Sequence, residues 1–156
     1  MACKYFTKAV LLFAFTMISS STLDAQENDS LIQKRIRNQQ FVFVPQSFSS
    51  PSVTMPIMTR DFELRVTTDS IIAILPYFGK SYTPQFGRSD DDGIKFISTD
   101  FEYSAIAKKK GKWEITMEPK DAKGVRLFLT VFNNGDAQMD VTSPRRETML
   151  FKGYVW

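Results

Sequence analysis

The sequence predicts a mainly all-β domain, an antiparallel sandwich or a partly closed barrel of about eight to ten strands with one short N-terminal helix. Three observations carry that expectation. From Phe41 onward apolar residues recur with a period of two rather than 3.6. The apolar runs are short and separated by turn signals, among them Thr67-Thr68-Asp69, Lys108-Lys109-Lys110-Gly111 and Asn133-Asn134-Gly135-Asp136. Helical spacing is confined to residues 26–40, where Leu31, Ile32 and Ile36 share a side and Asp29 or Ser30 can cap the N-terminus. The pattern alone does not choose between a stacked and a closed sheet.

The first 25 residues read as a separate unit. Lys4 and Lys8 precede the apolar run Ala9 to Ile18, and a polar stretch follows that ends in Ala25. These are the three zones of a secretory signal peptide, with cleavage expected after Ala25. The run is too short for a bilayer-spanning helix, which needs about 20 apolar residues. The expected organisation is therefore signal peptide 1–25, helix 26–40 and one β-rich domain 41–156, in a protein of the periplasm or cell envelope. No transmembrane segment is expected after signal removal. Cys3, the single cysteine, lies ahead of the apolar run, whereas a lipid-modified cysteine would follow it, so no lipoprotein is expected. The remaining 131 residues suffice for one core and contain neither cysteine nor histidine.

The strands follow in order. In Phe62-Glu63-Leu64-Arg65-Val66 the polar Glu63 and Arg65 take one face, leaving Phe62, Leu64 and Val66 on the other for the core. Trp113, Ile115 and Met117 form a second such set. Val125, Leu127, Leu129 and Val131 form a third, on a strand whose other face carries Phe128 and Phe132 and which is therefore expected to lie centrally. Asn134-Gly135 suggests a type I′ hairpin turn that returns as Ala137, Met139 and Val141. A last strand, Glu147 to Trp156, holds Gly153, the expected place of a bulge.

Taken together, the segments ILPYFGKSYTPQFG, DGIKF, LFLTVFNNGDAQMDV and RRETMLFKGYV, in that order and spacing, resemble the domain-of-unknown-function family 4251, small exported proteins of Bacteroidetes. The likeness runs from about Phe41 to Val155. It implies an envelope location and a β-rich fold, and it carries over no catalytic residue.

The chemistry that can be excluded is extensive. A net charge of about +2 after signal removal, 18 basic against 16 acidic residues, is scattered and gives no footprint for nucleic acid. Asp90-Asp91-Asp92-Gly93 lacks the spacing of a calcium loop, so no metal and no cofactor is expected. The pairs Asp61/Glu63 and Asp100/Glu102 share strand faces, but without histidine or a G-x-S-x-G context an enzyme would rest on unassisted carboxylates. The basic tip before Trp113 reads as a solvated turn with its indole in the core. What stands out is the segment Pro76 to Gly87, whose prolines and glycines stiffen and bend it while Tyr77, Phe78, Tyr82 and Phe86 supply large apolar area. These four residues are the expected contacts for an envelope partner or a small apolar ligand. For Phe78 and Phe86, strand alternation from Leu75 favours a lid folded onto the core, and the tyrosines are the better contacts. The alternatives are a carboxylate-dependent enzyme acting on an envelope polymer and a purely structural β-domain.

Overall fold

Each alternating strand has one dry and one wet face, and the chain satisfies all its dry faces with a single sheet that curls on itself. In a computed structural model of the protein, the described residues are 31–51, 53–56, 61–77, 93–122, 124–144 and 146–156. They form β1 (Phe41–Ser50), β2 (Val53–Pro56), β3 (Glu63–Val66), β4 (Ile71–Leu75), β5 (Ile94–Ser98), β6 (Phe101–Ala107), β7 (Trp113–Pro119), β8 (Arg126–Val131), β9 (Asp136–Ser143) and β10 (Arg146–Val155). The hydrogen-bonded order is β5-β4-β3-β1-β10-β9-β8-β7-β6, antiparallel at every step, with β2 paired to the far half of β1.

That order decides between sandwich and barrel. β5 and β6 lie at opposite ends of the path, yet only Thr99 and Asp100 separate them in the chain. Three residue steps span at most about 11 Å, so the two edges of the sheet are held together. Eight antiparallel steps also leave β5 and β6 running the same way. They are two halves of one bent strand, the first half completing β4 and the second completing β7. The result is a nearly closed barrel.

Its interior is filled. Phe43, Leu64, Met117, Leu127, Met139 and Phe151 are among the side chains with no significant exposure, each contributing about 1.5–3 kcal/mol by leaving water. Trp113, Ile115 and Met117 point inward as the alternation predicts, and β8 is central, flanked by β7 and β9. Phe128 and Phe132 remain on its outer face.

Residues 31–37 are helical and close one end of the barrel with Ile32 and Ile36, both buried. Leu31, expected on the same side, points to solvent instead. The helix also stops short of Gln40. Gln39 adopts a left-handed φ of 53°, Gln40 N–H donates to the Arg35 carbonyl at 2.9 Å and Gln39 N–H to that of Ile36 at 3.2 Å. This pair of bonds is a Schellman cap with glutamine in the place that glycine usually takes.

Hairpins form at all three turn signals, with two corrections. The loop between β8 and β9 is not type I′, because Asn134 does not take a positive φ. Gly135 N–H donates to the Phe132 carbonyl at 3.0 Å, and Phe132 N–H to that of Asp136 at 2.8 Å. Gly135 follows this turn at φ 90°. It is a three-residue loop, a type I turn closed by a left-handed glycine. Nor is Gly153 the bulged residue. The extra residue is Gln46 on β1, between the pairs Pro45↔Gly153 and Ser47↔Lys152. Gly153 is needed opposite it, since an added Cβ would overlap the Val44 carbonyl and come within 2.9 Å of the Pro45 Cα.

Gly135→Val is expected to cost about 1–2 kcal/mol, from its backbone conformation and from a Cβ placed 3.3 Å from the Ile32 side chain. Gly153→Ala, meeting rigid backbone, should cost about 2 kcal/mol or more. Urea denaturation checks both, and a Gly153→Ala midpoint equal to the parent's would show that β1 yields at the bulge.

Candidate functional site at the barrel seam

The bend between β5 and β6 is built on one buried hydroxyl. Ser98, fully enclosed, shares its hydroxyl hydrogen between the Asp100 carbonyl at 2.9 Å and Asp121 Oδ2 at 3.0 Å. The same carboxylate oxygen accepts the Thr99 N–H at 3.1 Å, and Lys120 N–H donates to the Asp100 carbonyl at 2.8 Å. The β7–β8 connection is thereby stapled to the strand bend. On the β6 side, Tyr103 donates its hydroxyl to the Ile36 carbonyl at 2.9 Å, tying the helix to the seam. Burial pushes the Tyr103 phenol well above its ordinary range, so it remains a donor at any physiological pH.

Beyond the bend the seam opens. Among the described residues β5 pairs with β4 alone, and its other edge, with Asp121, Ala122 and Val125, borders a cleft of about 480 Å³. Half-buried Ile94, Phe96 and Val125, with buried Val141 behind them, give it an apolar wall; Asp121, Ser143 and Glu147 give it a polar rim. Tyr77 and Gly93 both line it.

Tyr77 is the described member of the expected contact set, and it sits on this rim. Its ring is half-buried beneath the Arg146 guanidinium, whose carbon is 4.8 Å from the ring centroid, a cation–π arrangement. Its hydroxyl accepts the Glu147 N–H at 2.9 Å. Arg146 also donates to the Gly93 carbonyl at 3.5 Å. Tyr77 thus joins the end of β4 to the start of β10 across the barrel mouth. Phe78, Tyr82 and Phe86 lie outside the described residues, as do Asp90, Asp91 and Asp92.

The carboxylate pairs do not converge on this cleft. Glu63 is held by Arg65 at 2.8 Å, and Glu102 by Lys120 at 2.6 Å. The Lys120 hydrogen bond keeps the Glu102 carboxyl below its usual range. Both pairs are solvated surface contacts. Among the described residues there is no group of three or more potential metal-ligating side chains, and no helix long and apolar enough to cross a membrane. Sequence reasoning missed Arg146, Phe96 and Val125. Phe96 was recoverable from its alternation with Ile94; Arg146 carries no local signal, since it meets Tyr77 only through the fold.

A family model described as a domain of unknown function, DUF4251, matches residues 23–155. A crystal structure of a DUF4251 family protein from Bacteroides eggerthii superposes with a TM-score of 0.61 at 14% sequence identity, over 82% of this chain and 86% of that one. At that identity the likeness concerns the fold. No curated protein matches significantly.

If the Ser98–Asp121 staple holds the seam, Asp121→Ala should lower stability by about 1–2 kcal/mol. Hydrogen exchange of the β5 amides should then accelerate more than that of β8 and β9. Equal acceleration everywhere would mean that the staple is not local to the seam.

Proposed function

This chain belongs to the DUF4251 family, and from that premise we propose that it is an exported protein of the periplasm or cell envelope that works as a binding module, its seam cleft holding an envelope partner or a small apolar ligand. Export rests on the charged, apolar and polar zones of residues 1–25, with the mature chain starting at Gln26. The position of Cys3 ahead of the apolar run argues for a free rather than lipid-anchored product.

The observation that carries the binding role is the cleft itself. The core is packed, so a ligand must be met from outside, and here an apolar wall, a polar rim and a strand edge that no other described strand pairs with occur together. Ile97 stands beside it, 68% exposed on the edge strand. Tyr77 acts as a positioning residue, its ring and hydroxyl fixing Arg146 and Glu147 at the rim.

Two measurements test this reading. Intact-mass analysis of the envelope fraction should find a chain beginning at Gln26; a full-length chain there would refute export by cleavage. A photo-crosslinking amino acid in place of Ile97 should yield a discrete adduct in the envelope, absent when the same probe replaces Ile106, an exposed residue on β6. Adducts equal at both positions would remove the cleft from consideration.

A further inference from the structure

A second groove lies away from the seam, where β1 bulges at Gln46. It has a volume of about 600 Å³ and is lined on its polar side by Gln46, Asn133, Asp136, Gln138 and Lys152. The strand registers explain its shape. Thr130, Gln138, Lys152 and Ser47 are directly opposite one another across β8, β9, β10 and β1, forming a polar row on the outer face about 14 Å long. Aromatic residues bracket that row. Phe132 and Tyr154 lie on one side of it and Phe128 on the other, between 37% and 40% exposed. The bulge adds Gln46 as a wall, and the backbone at Gly153 lines the groove beside Lys152.

The polar heads of this row are uncommitted. Asn134 is occupied by Asp136, donating to its carboxylate at 2.7 Å and accepting its N–H at 3.1 Å. By contrast, among the described residues, the side chains of Gln46, Gln138 and Lys152 make no hydrogen bond or ion pair. Amides present a donor and an acceptor side by side, as each sugar hydroxyl does, and flat aromatic faces match the C–H faces of sugar rings. The charge pattern narrows the class. Asp136 and Asp140 lie in the rows on either side of Lys152 and offset it, which disfavours a polyanion. A protein partner fits less well, because the centre of such an interface is poor in lysine whereas this one has lysine at its middle. We propose that this outer groove binds a neutral glycan chain, its hydroxyls bridged by Gln46, Gln138 and Lys152 and its rings resting on Phe132 and Tyr154.

Native affinity electrophoresis of the mature protein through gels containing galactomannan, xylan or mixed-linkage β-glucan, with polygalacturonate as the acidic probe, decides the matter. At least one neutral polysaccharide should retard the protein. The double variant Gln138→Ala/Lys152→Ala should abolish the retardation, and Phe132→Ala should weaken it about tenfold, with melting temperatures unchanged because these side chains lie outside the core. Tyr77→Ala should leave it intact, which separates this groove from the seam cleft. Retardation by polygalacturonate alone, by none of the probes, or persisting undiminished in the double variant overturns the proposal. So does a concentration-dependent dimer in sedimentation that Phe128→Asp dissolves, since the face would then belong to a second copy of the chain.

Discussion

The fold depends on a two-residue connection. Thr99 and Asp100 join the first and last strands of the sheet path, and no flat sheet can satisfy that link. Once the edges are drawn together, β5 and β6 must share one position in the barrel wall, and the bend between them must satisfy its backbone groups without a full ladder. Ser98 and Asp121 do so with one hydroxyl and one carboxylate oxygen. A bend of this kind turns one edge of β5 away from β6, and among the described residues that edge borders the cleft, so the cleft follows from how the barrel closes.

Closure also determines where function can reside. Side chains fill the interior, and the helix inserts Ile32 and Ile36 into one end while its Ile36 carbonyl accepts the Tyr103 hydroxyl. Small barrels filled this way bind at their mouths, seams and outer faces rather than inside. Both surfaces discussed above arise from irregularities in an otherwise regular wall: the strand bend creates the seam cleft, and the Gln46 bulge creates the outer groove. Regular antiparallel pairing elsewhere leaves a convex face with little to grip.

Much of the fold was legible because burial in a sheet writes itself into a two-residue period. The inward sets Leu64/Val66, Trp113/Ile115/Met117, Leu127/Leu129/Val131 and Ala137/Met139/Val141 are all buried. The turns were legible in place but less so in type, because Asn-Gly fits a type I′ turn and a type I turn with a left-handed glycine alike; the hydrogen bond between Phe132 and Asp136 selects the latter. Gly153 was correctly marked as special, yet the bulge belongs to its partner strand, and a single strand's sequence does not carry its neighbour's register. Of the candidate site, Tyr77 was visible as an aromatic beside Pro76. Arg146, nearly 70 residues later, was not.

By itself the sequence determined the class of fold, the inward face of most strands and the position of the hairpins, since these follow from local alternation and from residues that favour turns. It also excluded cysteine and histidine chemistry from residues 26–156. Tertiary structure alone decided that the sheet closes rather than stacks, that Leu31 stays in solvent while Ile32 and Ile36 enter the core, and that Tyr77, Arg146 and Phe96 line one cleft. The physical reason is range. Alternation and turn propensity act between residues a few positions apart, whereas closure, register and the meeting of side chains at a cleft depend on which distant strands become neighbours. Here that was decided by a two-residue bend with one buried serine.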